Sequence, residues 1–500
     1  MHAPTRASHA LCLALLCCLT VAGCQNRAGH APIHDAGPRD SAAADADASD
    51  LADAAAISDA NTDSAVALID PELPLTAWQT LSDDAWSQWY TWLPSQGRDV
   101  DGSGVFKIED GVLHVLGGAA PDGDQEFGYV ATREEFANYR LRVEQRWGTR
   151  RFAPRATVMR DSGLLYHLRG ADKIWPQCVE FQIQENDVGD LFLLSDVGAT
   201  SPLAPDRSDA LFQEAGSPRS QRNGTVKKSS THDSLQDWNA LELIASEREF
   251  VHIVNGFVNQ RGWGLEYLAG SDWSALDHGR IALQAEGAEV FYRNVQLRTL
   301  TYAKPPEGSS VLFDGSSLDA WQQRDGSAPG WKIVDGALEV AAGSGDLSTR
   351  ESFGDARLHL EFRVPATLDP EADAPAPGAS GVSLQARYEV HISDAFGRTL
   401  ADADDAAAIY GVRDASLNEA LPAETWQSYD IVFRAARWNG DSKQKPARIS
   451  VVWNGSEVQR AVEVPASTAA GAAESPAPGP LVLHDRGVAV RYRNIWLQPL

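Results

Sequence analysis

Cysteine is almost missing from the part of the chain that can fold: four of the five lie within the first 24 residues and only Cys178 follows. A single thiol cannot pair within the chain, which excludes a disulfide framework or a cysteine-based zinc site as the support of the fold. Basic stripes are missing too. With a formal charge of −26 and no cluster of Lys and Arg, the chain lacks what grips a phosphate backbone, so nucleic acid is excluded as a partner. The apolar run at residues 11–21 is too short to cross a bilayer as a mature helix. Helical periodicity is scarce outside one Ala-rich segment, which argues against an α or α/β fold.

What the first 24 residues do contain is an address. Arg6 precedes the apolar run, as in a secretory signal, and the run ends Val21-Ala22-Gly23-Cys24. That ending resembles a bacterial lipobox, in which Cys24 takes lipid; the alternative is a plain secretory signal with an incidental cysteine. Gln25 follows where Asp would favour inner-membrane retention, so in a Gram-negative host the expected location is the outer membrane or cell surface. Residues 25–72 then form a tether. Between 41 and 70 the chain is mostly Ala, Asp and Ser, with seven Asp and no Lys, Arg or aromatic residue, and such a stretch cannot bury enough apolar surface to offset its ordering entropy.

Five hundred residues exceed one hydrophobic core, and the remainder reads as two copies of one pattern. Each copy carries an Asp-Gly hairpin signal between alternating apolar residues, at Asp110-Gly111 and Asp335-Gly336. Ser-Gly then precedes a strand at Ser162-Gly163 and Ser380-Gly381, Asn-Gly recurs at Asn255-Gly256 and Asn454-Gly455, and both copies close on Tyr-Arg-Asn, at Tyr292 and Tyr492. Period-2 segments with frequent turn signals predict an all-β protein of two tandem β-sandwiches, at 73–302 and 310–500, joined by a linker at 303–309 around Pro305-Pro306. The Ala/Pro-rich stretches 365–379 and 465–478 read as surface loops. Fifteen Trp residues suit either the large rings of a two-sheet core or stacking on sugars.

At these residues the sequence resembles the 3-keto-disaccharide hydrolase family, whose fold is the concanavalin-like jelly roll. In the second copy the resemblance runs through Leu312-Phe313-Asp314-Gly315, Trp331, Ser380-Gly381, Tyr388-Glu389-Val390, Ile409-Tyr410-Gly411 and Arg493-Asn494-Ile495. In the first it runs through Arg160-Asp161-Ser162-Gly163-Leu164-Leu165-Tyr166-His167, Glu180-Phe181-Gln182, Asp237-Trp238-Asn239, Leu283-Gln284, Glu286-Gly287 and Arg293-Asn294. The resemblance implies action on glycosides oxidised to a ketone at C3, cleaved by elimination and hydration, with a divalent metal such as Ca²⁺ or Mn²⁺ in several relatives.

The residues allow that chemistry. In the segment 178–184, Val179, Phe181 and Ile183 fall on one face and Glu180, Gln182 and Gln184 on the other, so the polar face lines either a groove or plain solvent. A C3 ketone acidifies the C2 proton, and its cleavage needs a base, a holder for the enolate oxygen and an acid at the leaving oxygen. Glu180 is expected as base, Arg160 or a metal as enolate holder, and His167 or Glu286 as acid, although a strand histidine such as His167 is more often structural than catalytic. Asp161, Tyr166, Gln182, Gln184 and Gln284 are expected to bind substrate. Glu185 and Asp187, with Asp161, are hard oxygen donors for a metal, although 185–190 reads as well as a polar turn. In the second copy His391 stands where the family has Gln after Glu389, and Leu483-His484-Asp485-Arg486-Gly487 departs from the Leu-Gln-Asp-His-Gly pattern. The first copy is therefore the catalytic candidate. The second, through Glu389 and His391, binds or supports, unless histidine retunes a working site. A glycan-binding lipoprotein without catalysis and a structural surface protein are the competing readings, since fold alone does not decide function.

Overall fold

The computed structural model describes residues 73–118, 125–366, 380–400, 402–468 and 471–500. The expected signal segment, Cys24 and all of the tether lie outside the described residues, as does most of the 365–379 stretch. The rest is strand and turn, folded as the alternation predicts. The first sandwich runs from Gln79–Thr80 to Ala288–Thr299 and pairs an eleven-stranded back sheet with an eight-stranded front sheet. The second runs from Ser310–Phe313 to Arg491–Pro499, with an eight-stranded back sheet and a five-stranded front sheet. The chain passes repeatedly between sheets in jelly-roll fashion. Tyr139–Arg151 lies in the back sheet, Asp161–Arg169, Gln177–Gln184 and Leu191–Leu194 in the front, and Val197–Leu203 in the back again.

The repeated motifs have physical roles. Both residues of Asp110-Gly111, Asn255-Gly256, Asp335-Gly336 and Asn454-Gly455 have positive φ, the conformation in which a two-residue turn matches the twist of its strands. Ser162 and Ser380 face the core and tie the sheets together: Ser162 Oγ lies 2.7 Å from the Tyr292 hydroxyl, and the Tyr492 hydroxyl donates to Ser380 Oγ at 2.6 Å. The Arg and Asn after each tyrosine grip one back-sheet carboxylate. These are Glu144 for Arg293 and Asn294, and Glu361 for Arg493 and Asn494.

Val179, Phe181 and Ile183 are fully buried between the sheets against Leu141, Val143, Leu243 and Tyr292, each contributing roughly 1.5–3 kcal/mol of apolar burial. That anchoring turns Cys178, Glu180, Gln182 and Gln184 to the outer face of the front sheet. The sandwiches meet through their back sheets. Glu249 pairs with Arg363 at 2.5 Å and Glu247 with Arg493 at 3.1 Å, and Leu421 packs on Ile244, Val251, Ile253 and Leu300. Asn494 and Trp496 donate to the Ala303 carbonyl and fix the linker. Each front sheet therefore turns its outer face away from the neighbouring sandwich.

Candidate functional site

Three strands of the first front sheet build a polar patch on its outer face. Gln182 lies opposite Gly163 and Gln184 opposite Asp161. On the other side Leu283 lies opposite Leu164, and that register continues to set Gln284 beside Gly163 and Glu286 beside Asp161. Adjacent strands bring such side chains within about 5 Å of one another. Gly163 is the space at the centre. A Cβ there would stand 1.9 Å from Gln284 Oε1 and 2.4 Å from Glu180 Oε1, so only glycine lets the acid and the amide meet over this strand. Gln284 donates to Glu286 Oε1 at 3.1 Å, Gln184 donates to Asp161 Oδ2 at 2.8 Å, and Arg155 Nη2 reaches the same Asp161 oxygen at 2.5 Å. The side-chain oxygens of Gln182 and Gln284 are buried and have no hydrogen-bond partner among the described residues.

Three carboxyl groups in one buried patch cannot all ionise. Burial, aided by the charge of Asp161, pushes Glu180 well above the usual carboxylate range. Burial and the charges of Asp161 and Glu180 do the same to Glu286, which hydrogen-bonds to Asp161. Asp161 is raised to about 6, mainly by burial, and is held back by Arg155 and Gln184. The patch thus contains proton-bearing acids beside a carboxyl that ionises near neutrality. Burial thus raises the proton affinity of Glu180, the expected base, whereas Asp161 is the carboxyl with a counter-cation, Arg155.

Further along the same face, the 170–176 loop folds over an apolar cluster that includes Tyr90, Tyr129, Leu165 and Cys178. Asp172 accepts from both tyrosine hydroxyls at 2.8 Å. Trp175, 44 % exposed, meets Phe127 edge-on at 6.4 Å. Phe127 directly precedes the Gly128–Thr132 strand, whose Gly128 is paired with Ala285, so this aromatic pair stands beside the carboxyl patch. Cys178 lies beneath, fully buried, and burial raises its thiol.

Four expectations place residues elsewhere. His167 sits at a bulge with φ 51, fully buried beside Tyr139 and Tyr166. Burial depresses its imidazole to about 3, and neither ring nitrogen has a partner among the described residues. It is a core residue, not an acid at the site. Tyr166 faces the core with its hydroxyl 3.0 Å from His252 Nε2, because alternation turns residue 166 to the face opposite Gly163 and Leu165. Arg160 is drawn away from the patch to Glu185 at 3.1 Å and the Gly148 carbonyl at 2.9 Å. Glu185 and Asp187 do not share a ligand position. Glu185 pairs with Arg151 and Arg160, and Asp187 with Lys227 at 2.9 Å. Among the described residues no three His, Cys, Asp or Glu side chains converge with metal-ligand geometry.

The second front sheet repeats the frame with opposite electrostatics. Gly381 lies opposite His391 and beside His484, and its Cβ would stand 2.2 Å from Glu389 Oε1. Thus Glu389 corresponds to Glu180, His391 to Gln182, His484 to Gln284 and Arg486 to Glu286. Arg486 donates to Glu389 at 2.6 Å, His391 Nδ1 lies 3.1 Å from the same oxygen, and His484 bridges toward Glu389 and Asp346. Burial would raise Glu389, but His391, His484 and Arg486 outweigh it and hold the carboxylate below its usual range.

Sequence reasoning missed Arg155 and Asp346. Arg155 follows a cis Ala153-Pro154 bond in a loop without periodicity, and no spacing signals its aim. Asp346 is 138 residues from its partner His484, and only the paired strands Leu347–Phe353 and Gly479–Leu483 bring them together.

No curated protein matches the chain. Among solved structures, it is similar to two candidate glycosyl hydrolases from Parabacteroides distasonis ATCC 8503. One is 28% identical, covering 39% of this chain and 86% of that one with a TM-score of 0.37; the other is 17% identical, covering 39% and 94% with a TM-score of 0.30. A Bacillus licheniformis β-glucanase is 7% identical, covering 46% and 99% with a TM-score of 0.27. The model of the 3-keto-alpha-glucoside-1,2-lyase-like domain matches twice, over residues 66–298 and 308–498, and the chain belongs to that carbohydrate-active family as a tandem pair.

Proposed function

We propose that the first sandwich cleaves glycosides carrying a ketone at C3, with Asp161 as base and Glu180 or Glu286 as acid. The observation that carries this reading is the gathering of carboxyl groups with unlike proton affinities over Gly163, the arrangement that separates acid from base in one site. Asp161 takes the C2 proton, the C2–H electron pair forms the C1–C2 alkene as the C1–O bond breaks, and the departing oxygen takes a proton from Glu180 or Glu286. Water then adds across C1–C2, its hydroxyl going to C1 and a proton returning to C2. Arg155 keeps Asp161 anionic between turnovers. The unpartnered Gln182 and Gln284 oxygens accept from sugar hydroxyls, and Trp175 offers a face to the pyranose ring.

The second sandwich binds saccharide in this reading. Glu389 is held below its usual range by Arg486 and its hydrogen bond with His391, and a carboxylate of depressed basicity is a poor proton acceptor. Lipid on Cys24 would tether both sandwiches to a membrane through the acidic segment. The test is release of 3-ketoglucose from a 3-keto-disaccharide by the purified chain. Asp161→Asn and Glu180→Gln are expected to lower release by at least about 10²-fold without moving the melting temperature by more than a few degrees. Saccharide binding with no release by the wild-type protein would refute catalysis and leave a glycan-binding protein.

A further inference from the structure

A cavity of about 740 Å³ lies away from both front sheets, in the cleft where the two back sheets diverge. Its volume is that of a small-ligand site. The first sandwich contributes Trp263, 38 % exposed, and the Glu214–Arg261 pair. The second contributes Trp426, whose ring lies 4.7 Å from the Arg363 guanidinium and 4.3 Å from that of Arg493. Neither front sheet takes part.

The four arginines of this cleft are already paired. Arg261 is bound to Glu214 at 2.9 Å, Arg363 to Glu249 at 2.5 Å, Arg491 to Glu339 at 2.7 Å and Arg493 to Glu361 at 2.6 Å. A polyanion finds no uncommitted cation there, and an apolar chain would cover four ion pairs without replacing their water. A neutral polyol loses nothing on either count, because its hydroxyls both donate to the carboxylates and accept from the guanidinium groups. Two lining residues also carry polar atoms that are buried yet unpartnered among the described residues, Thr425 Oγ1 and Arg363 Nε, and such atoms are rare unless something external satisfies them. Trp263 supplies an exposed indole on which a pyranose ring can stack, whereas Trp426 is buried against the Arg363 and Arg493 guanidinium groups.

We propose that this cleft is a second saccharide site, distinct from the front faces, which holds a neutral gluco-oligosaccharide between the two sandwiches. The glucose class of the ligand rests on the family reading; the location and the neutrality do not. The site needs both sandwiches, since the first supplies the exposed Trp263 indole and the second supplies Thr425 and Arg363.

Isothermal titration of the full chain with maltotetraose and with cellotetraose tests this. Binding of at least one tetraose is expected to persist in the front-face variant Glu180→Gln/Glu389→Gln. It is expected to weaken about two- to tenfold in Trp263→Ala, the loss of one stacking partner, and to weaken in Thr425→Val, which keeps the side-chain shape. Thermal melting unchanged from wild type confirms that both cleft variants fold. The proposal is overturned if neither tetraose binds, if Trp263→Ala binds as wild type does, or if the front-face variant abolishes all binding. Absence of turnover in the wild-type chain with cleft binding intact would sink the catalytic reading and leave this one standing.

Discussion

Replacing Gly163 by alanine adds one methyl group at the point where the first front face is most crowded. The new carbon would lie 1.9 Å from Gln284 Oε1 and 2.4 Å from Glu180 Oε1, and ordinary contact begins near 3.4 Å, so the two oxygens must retreat by about 1.5 and 1.0 Å. Both are tips of flexible side chains, and the strand can survive. Alanine even favours a strand by about 0.5–1 kcal/mol over glycine, but two buried polar groups pushed out of place cost about 1–3 kcal/mol each. A net loss of about 1–5.5 kcal/mol follows from those terms. Misplacing catalytic groups by about 1 Å costs on the order of 10²-fold in rate. The assay is kcat/KM for 3-ketoglucose release beside urea denaturation. Gly381→Ala is the control, because its methyl would stand 2.2 Å from Glu389 Oε1 and inflict the same injury on the second face. Turnover is expected to collapse in Gly163→Ala and to survive in Gly381→Ala. Equal turnover in wild type and Gly163→Ala would refute the placement of the chemistry over this glycine.

Asp161 ionises near 6 in the folded protein against 3.8 ordinarily, so the folded state holds a proton that the unfolded chain has released between those values. Stability is expected to fall by up to about 3 kcal/mol as pH rises through that window, and Asp161→Asn to flatten the fall in urea titrations. His359 works in a later window: burial disfavours its charge, but Asp430 and Glu361 raise it from 6.5 to about 9. Its stabilisation of the second sandwich, about 3 kcal/mol, is fully present below pH 6.5 and lost as pH rises through 9, and His359→Gln should abolish that loss in pH-resolved melting. His167→Asn, which tolerates the positive φ at this bulge, is expected to leave kcat/KM within about twofold while lowering stability by about 1–3 kcal/mol; a large drop in kcat would restore His167 to the chemistry.

Period and turn chemistry made the fold legible, because both are local. The alternation of Val179, Phe181 and Ile183 with Glu180, Gln182 and Gln184 assigns inner and outer faces correctly, whereas Gln284 and Glu286 enter through the family resemblance. It failed for His167 because the ladder shifts between Tyr166 and Arg169, and a bulge is invisible to a strict period of two. Tyr166 is a different case: alternation from Gly163 already assigns it to the core, whereas family matching drew it into the site. Arg160 and Glu185 were each read as free for chemistry, yet opposite charges on neighbouring strand ends find each other first. Proton affinity was the least legible property, since it depends on which carboxyl groups crowd together and which cation arrives from an irregular loop.

The two front faces show how far such crowding can be tuned on a fixed frame. Serine, glycine, glutamate and the bridging tyrosine are common to both, so the backbone delivers the same carboxyl to the same place. What differs is the ring around it, chiefly Glu286 in one copy and Arg486 in the other, and Glu180 is pushed up while Glu389 is held down. Writing the second pattern into the first by Glu286→Arg should therefore invert Glu180. A cation replaces an acid neighbour, the carboxyl ionises at neutral pH, and its service as proton donor ends although every backbone atom stays in place. Infrared difference spectra on isotopically labelled carboxyls, with Glu180→Gln to assign the band, would show a protonated carboxyl stretch at pH 7 in wild type and its loss in Glu286→Arg. If the band survives that exchange, the environment around Gly163 is not what sets the proton affinity of Glu180, and the division of labour between the two sandwiches has no electrostatic basis.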